Sequence, residues 1–176
     1  LDELATISSR LVLSTNDATN TPISFEWAAD ASKLSVNQKN MLHGVDLLGE
    51  DRLNYIRGDR TKEGGVTAKP FRLRKSRQGD IVNSSIWYVD RPVSNYSLSG
   101  YRTFANANKK RLPMLYVGGN DGMLHGFSAV DGQEKIAYIP KGVIPNLRQL
   151  TEPGYSHLYY VDGSPFTGDV NWGSVP

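Results

Sequence analysis

Five cations fall within nine residues, at Lys69, Arg72, Arg74, Lys75 and Arg77, and they interleave with Phe71 and Leu73. If residues 71–76 form a strand, alternate side chains point to opposite faces, so the run shows one apolar and one basic face. A basic face can neutralise phosphates, which makes surface DNA one ligand class. A solvated strand also uses such charge to discourage edge pairing, and for a charge run that is the stronger reading. A second group, Arg57-Gly58-Asp59, sets a cation and an anion on either side of a glycine. It could engage a receptor whose metal ion takes the carboxylate. Gly58 also falls where a helix needs its C-terminal cap, and that use outweighs the receptor reading.

Acidic residues approach metal-ligand spacing in two places, Asn16 to Asn20 and the segment holding Asp162 and Asp169. Neither carries the alternating ligands, glycine and twelfth-position glutamate of a calcium loop, so no metal ligand is assigned. Asp121-Gly122 and Asp162-Gly163 read as turns. His43, His125 and His157 lie in unrelated contexts, with His125 expected to pack between structural repeats. No nucleophile elbow, zinc-type histidine pair or phosphate loop occurs, so the reading is non-enzymatic.

The 176 residues carry 20 Lys+Arg against 18 Asp+Glu, a net charge of +2 that gives no general attraction to nucleic acid or to an anionic membrane. Any such binding needs a local patch. The absence of cysteine removes disulfides, thiolate metal sites and thiol nucleophiles without identifying a compartment. No stretch approaches the ~18 apolar residues of a membrane span. The chain starts at Leu1 and ends in the turn-type sequence "GDVNWGSVP", so it reads as a piece of a longer or processed protein.

The elements that must position these groups follow from periodicity. Short strands are expected near Arg10 to Ser14 and Ile23 to Trp27, with "NDATNTP" between them as a turn. Ser35 and Gln38 have capping-box spacing, and Gly44 closes that helix. A second helix spans about Gly49 to Arg57. Residues 59–69 are polar with a glycine pair, and read as a mobile loop or a boundary. From Phe71 onward the pattern is strands and tight turns, including Ile81 to Val89 and a meander from Leu112 to Pro140 turning at Asn120-Asp121-Gly122 and Asp131-Gly132. Between them, Asp90 to Leu112 forms a long polar insertion with aromatics at Tyr96, Tyr101 and Phe104, a length more common in functional loops. Ile144, Leu147 and Leu150 have helical spacing, and another strand is expected near His157.

The stretch "LYVGGNDGMLHGFSAVDGQE" resembles one blade of a quinoprotein-type β-propeller. Four blocks in order, "DRLNYIRGDR", "FRLRKSRQGDIVNSS", "RLPMLYVGGNDGMLHGFSAVDGQEKIAYIP" and "LYYVDGSPFTGDV", are similar to the C-terminal β-propeller domain of the PilC/PilY family of type IV pilus adhesins and biogenesis factors. The resemblance covers about Arg52 to Val170. It implies an exported bacterial protein at the cell surface or pilus tip, with outer-membrane association among the locations it allows. It also implies roles in pilus assembly, twitching motility and adhesion, with major and minor pilins and a host or abiotic surface as partners. The family's calcium loop is an Asp-rich segment later in the propeller. Nothing here matches it, so no cofactor is assigned to this chain.

The expected fold is therefore mainly β, a propeller fragment with short N-terminal helices. Residues 1–68 would hold the entry strands and two helices, and 69–176 one full blade and the start of a second. Ile81 to Val89 with the three meander strands makes four, the number in a blade, and the strand near His157 opens the next. The N-terminal strand pair would complete a different, last blade. Exposed sheet edges are expected, and the Asp90 to Leu112 loop would present contact residues on a rigid scaffold. Two other readings stay open: a fragment of a quinoprotein-like enzyme, and a generic propeller module binding protein or surface DNA.

Overall fold

A computed structural model describes residues 7–170 apart from 31 and 95. Its centre is an antiparallel meander of β3 (Trp87–Val89), β4 (Met114–Gly118), β5 (Leu124–Ser128) and β6 (Glu134–Tyr138), the four strands of one blade. The two turns sit where Asn-Asp-Gly and Asp-Gly require them. Gly122 and Gly132 adopt φ of 90° and 70°, which a side chain would resist, and the Gly119 amide donates to the Met123 carbonyl at 2.8 Å to close the first turn.

The N-terminal pair, β1 (Val12–Thr15) and β2 (Pro22–Ser24), does not belong to another blade. It extends the same sheet in the order β2-β1-β6-β5-β4-β3, with β1 parallel to β6 and Val12 opposite Ala137. The reason lies in alternation: Val12 and Ser14 point inward, and the Ser14 hydroxyl donates to the Ile139 carbonyl at 2.8 Å. As expected, the sheet ends in two outer strands that no other described strand pairs. Pro22 removes a donor from one of them.

The helices follow their caps. α1 (Val36–His43) begins at Ser35, whose side chain accepts from the Gln38 amide while Gln38 accepts from the Ser35 amide. α2 (Gly49–Arg57) ends at Gly58 with φ 114°, and its amide bonds back to Tyr55 and Asn54 carbonyls. Within 90–112 the chain forms a helix, α3 (Tyr101–Ala107), that buries no side chain. α4 (Ile144–Leu147) continues as a 3-10 turn, Arg148–Thr151, and buries Ile144, Leu147 and Leu150 as their spacing requires. One core gathers Phe25, Leu34, Leu42 and Leu53 with Met123, Ile139 and Ile144, so residues on both sides of position 68 share it.

Two expected strands are absent. Residues 71–76 bridge only at Phe71 and then invert the expected faces: Leu73 is 72% exposed and Arg74 is buried, because Glu63 is buried beside it and needs a counter-charge. The 59–69 segment is thereby tied down, with Gly64 and Gly65 amides donating to the Phe71 carbonyl. Near His157 no strand forms either. The chain from 161 to 170 runs beside 83–87, held by side-chain oxygens: the Ser85 amide donates to Ser164 Oγ at 2.9 Å and Trp87 Nε1 to Thr167 Oγ1 at 2.8 Å. Pairing by side chains leaves no ladder to define a second blade among the described residues. A β-carbon at Gly118 would lie 2.2 Å from the Val161 carbonyl oxygen. Gly118→Ala is expected to lose about 1–3 kcal/mol through this overpacking and to raise hydrogen exchange along 161–167. Unchanged exchange there would refute the contact.

Candidate functional site

A hollow of about 790 Å³ opens between the end of α2, the extended run 72–81, the Asn120-Asp121 turn and Tyr155 with His157. The cationic run meets this hollow unevenly. Arg72 borders it with its guanidinium 4.5 Å from the Tyr155 ring, an arrangement that fixes the side chain without neutralising it. Its Nε donates to the Leu150 carbonyl at 3.2 Å. Lys75 is exposed on the rim, and Arg77 lines the wall with its Nε donating to the Gly58 carbonyl at 2.9 Å. Lys69 lies outside, in the small turn where it bridges Val66.

Arg74 has a different job. Its guanidinium is 2.7 Å from Glu63, donates to the carbonyls of Tyr55 and Asp59 at 2.8 and 2.7 Å, and packs 3.6 Å from the centre of the Tyr55 ring. Those partners occupy it internally, while Arg72, Lys75 and Arg77 line the groove as its basic wall. In the Arg57-Gly58-Asp59 tripeptide, Gly58 caps α2 and the Asp59 carboxylate accepts from the Thr61 amide at 2.7 Å. Arg57 is 5% exposed and donates to the Phe25 and Arg10 carbonyls, and burial lowers its pKa.

The opposite rim was hidden in the sequence. His157 Nε2 meets Asp80 at 2.8 Å across 77 positions of separation, and no local signal announces the pair. The floor leads inward: the Gly79 amide donates to Asp121 Oδ2 at 2.9 Å, and both Asp121 oxygens lie 3.1 Å from His125 Nε2. His125 Nδ1 is 2.8 Å from Glu134, and Glu134 takes two bonds from Arg10 at 2.7 and 2.9 Å. His125 therefore sits inside the blade, fully buried, with a carboxylate on each ring nitrogen. Burial pushes the imidazole down, but Asp121 and Glu134 more than offset it, and its pKa rises to about 9. Burial raises Asp121 and Glu134, while the hydrogen bonds and charges of His125 and Arg10 outweigh it and hold both below the ordinary carboxylate range. Two cations and two anions thus form a neutral buried quartet behind the groove.

The other acidic positions serve turns. Asn16 Oδ1 accepts from the Ala18 and Thr19 amides, and Asp17 accepts from the Ser35 hydroxyl and from Asn37. Asp162 holds the Asn83 amide at 3.1 Å. Among the described residues no three His, Cys, Asp or Glu side chains are placed to hold a metal ion. No helix among them is long and apolar enough to cross a membrane. The chemistry on offer in the groove is recognition of negative charge by a fixed basic wall.

A model of the PilY1 beta-propeller domain matches residues 78–173. The type IV pilus biogenesis factor PilY1 of Pseudomonas aeruginosa strain PAK is 38% identical over 187 aligned positions, covering 96% of this chain and 15% of that protein. A PilY1 homolog of Xylella fastidiosa is 42% identical over 136, covering 70% of this chain and 11% of its own length. Strain UCBPP-PA14 of P. aeruginosa has a PilY1 that is 32% identical over 186 positions. No solved structure matches. The chain spans about 15% of the curated relatives it resembles most broadly. With the four-stranded meander falling inside the matched region, the chain belongs to the PilY1 family and supplies part of its β-propeller domain.

Proposed function

We propose that this part of the propeller is a non-enzymatic scaffold in a type IV pilus assembly and adhesion factor, exported to the cell surface and placed at the pilus tip. Its relatives are named pilus biogenesis factors, which supports the assembly role. The observation that carries the contact assignment is the clustering of Arg72, Lys75 and Arg77 on one groove, with Arg72 held against the Tyr155 ring and Lys75 exposed on the rim. The partner is an anionic surface on a major or minor pilin. Any calcium control belongs to propeller sequence outside this chain.

The test is Arg72→Ala combined with Lys75→Glu in the full-length protein of the host strain. Surface pili and twitching should fall several-fold, with protein abundance and melting temperature of the isolated chain unchanged. Normal piliation with loss of salt-dependent DNA binding would replace the pilin partner by surface DNA, whose phosphates the same basic wall could contact. Normal piliation and no binding defect would remove the groove from function altogether.

A further inference from the structure

The groove leaves one unusual segment unused. Residues 91–111 carry Arg91, Arg102, Lys109, Lys110 and Arg111 and no carboxylate, in a chain whose charges otherwise nearly balance. Within this segment α3 buries nothing, while Val93, Tyr96 and Leu98 are 76%, 48% and 60% exposed. Apolar and cationic surface are thus combined where neither supports the core.

The aromatic residues form a cup. Tyr96 and Tyr101 meet edge to face at 5.2 Å, Tyr101 and Phe104 lie tilted at 5.9 Å, and the Tyr101 hydroxyl donates to Asp169 at 2.8 Å, which pins the wall to the 161–170 segment. With Leu98 they enclose about 190 Å³. An apolar cavity of about 150 Å³ accepts a benzene ring, so this one accepts a single large apolar side chain. Two wider hollows adjoin it through shared walls. One, of about 520 Å³, shares Tyr96, Leu98 and Tyr101 and adds Arg102. The other, of about 360 Å³, shares Asp169 and is flanked by Arg91 and Arg111.

We propose that the α3 flap captures an acidic, extended segment of a partner protein through one bulky apolar anchor. The cup takes the anchor, and the cations beside the adjoining hollows pair with carboxylates on either side of it. The edge-to-face contact of Tyr96 and Tyr101 favours a peptide over single-stranded DNA, because successive bases need flat ring faces on which to stack. A hot spot of this form, an apolar anchor within a charged rim, is how small surfaces reach useful affinity.

The experiment uses a short fluorescein-labelled Asp/Glu peptide with one central Phe, read by anisotropy against the chain. Saturable binding is expected, weakened about tenfold or more when the Phe becomes Ser, and likewise by Leu98→Asp or by Arg102→Glu with Arg91→Glu. All three positions are exposed, so these variants should fold. Arg72→Ala with Lys75→Glu should leave binding unchanged, separating this surface from the groove. Absence of saturable binding, indifference to the Phe, or a labelled single-stranded oligonucleotide binding as tightly and ignoring Leu98→Asp would overturn the proposal. Self-association abolished by Leu98→Asp would instead assign the surface to a second copy of the chain.

Discussion

Replacing Glu134 with glutamine is expected to destabilise the chain by about 3–5 kcal/mol, a fall of roughly 10 °C in melting temperature for a domain of this size. The side chain is almost fully buried and joins Arg10 to His125. Glutamine keeps the shape but leaves two buried cations facing only the charge of Asp121. The same quartet fixes how stability depends on pH. The folded pKa of His125, about 9, lies above its ordinary 6.5, so its contribution is complete below about 6.5 and is lost as pH rises through 9. Asp121 and Glu134 are held below their ordinary values of 3.8 and 4.5, so their contribution is present above those values and lost as pH falls through the depressed ones. Thermal melts should therefore reach their maximum between about pH 5 and 6.5, with a decline on the order of 3 kcal/mol toward pH 9. Glu134→Gln should flatten that alkaline decline, and His125→Asn should flatten it further. A wild-type melting temperature constant from pH 6.5 to 9 would show that the histidine is not held as a cation.

Removing the Glu63 carboxylate is the second large perturbation. Glu63→Ala should cost about 3–5 kcal/mol, because it strands the Arg74 guanidinium among the carbonyls of Tyr55 and Asp59 with no counter-charge. Arg74→Lys should also be costly, since an ammonium cannot reproduce the planar fork that reaches Glu63 and both carbonyls while lying over the Tyr55 ring. The pair Glu63→Leu with Arg74→Met, which removes both charges, should recover a large part of the loss. Chemical denaturation of the two single variants and the double variant gives the coupling directly. Equal loss in the double variant and the sum of the singles would mean that the two residues act independently, contrary to their 2.7 Å contact.

The elements legible in the sequence were those fixed by neighbours in the chain. Ser35 with Gln38, Gly58 after α2, Asp131-Gly132 and the Ile144, Leu147, Leu150 spacing each carry their own geometry, and each appears where its spacing places it. The failures depend on distant partners. Alternation assigns Leu73 and Arg74 to opposite faces but cannot say which goes inward; that was decided by Glu63, a buried acid 11 positions away. Nothing near Val12 indicates that it lies opposite Ala137 rather than in another blade. The groove was legible as a cationic run, yet its far rim of Asp80 and His157 was not, because the two meet only after the sheet has formed. His125 was expected to pack between repeats, whereas it lies inside the blade with carboxylates that come from one turn and the next strand.

The parallel docking of β1 on β6 sets an order of events. β1 is made before the other described strands, yet its partner Ala137 follows it by about 125 residues. Until then β1 has only the short β2 to pair with, whereas β4, β5 and β6 are joined by short turns and can pair as soon as they are made. The meander is thus the template, and the N-terminal arm is the last piece to be registered on it. Closing so long a loop makes this docking slow compared with hairpin formation, and it leaves an interval in which the β1–β2 pair is not yet held on the sheet.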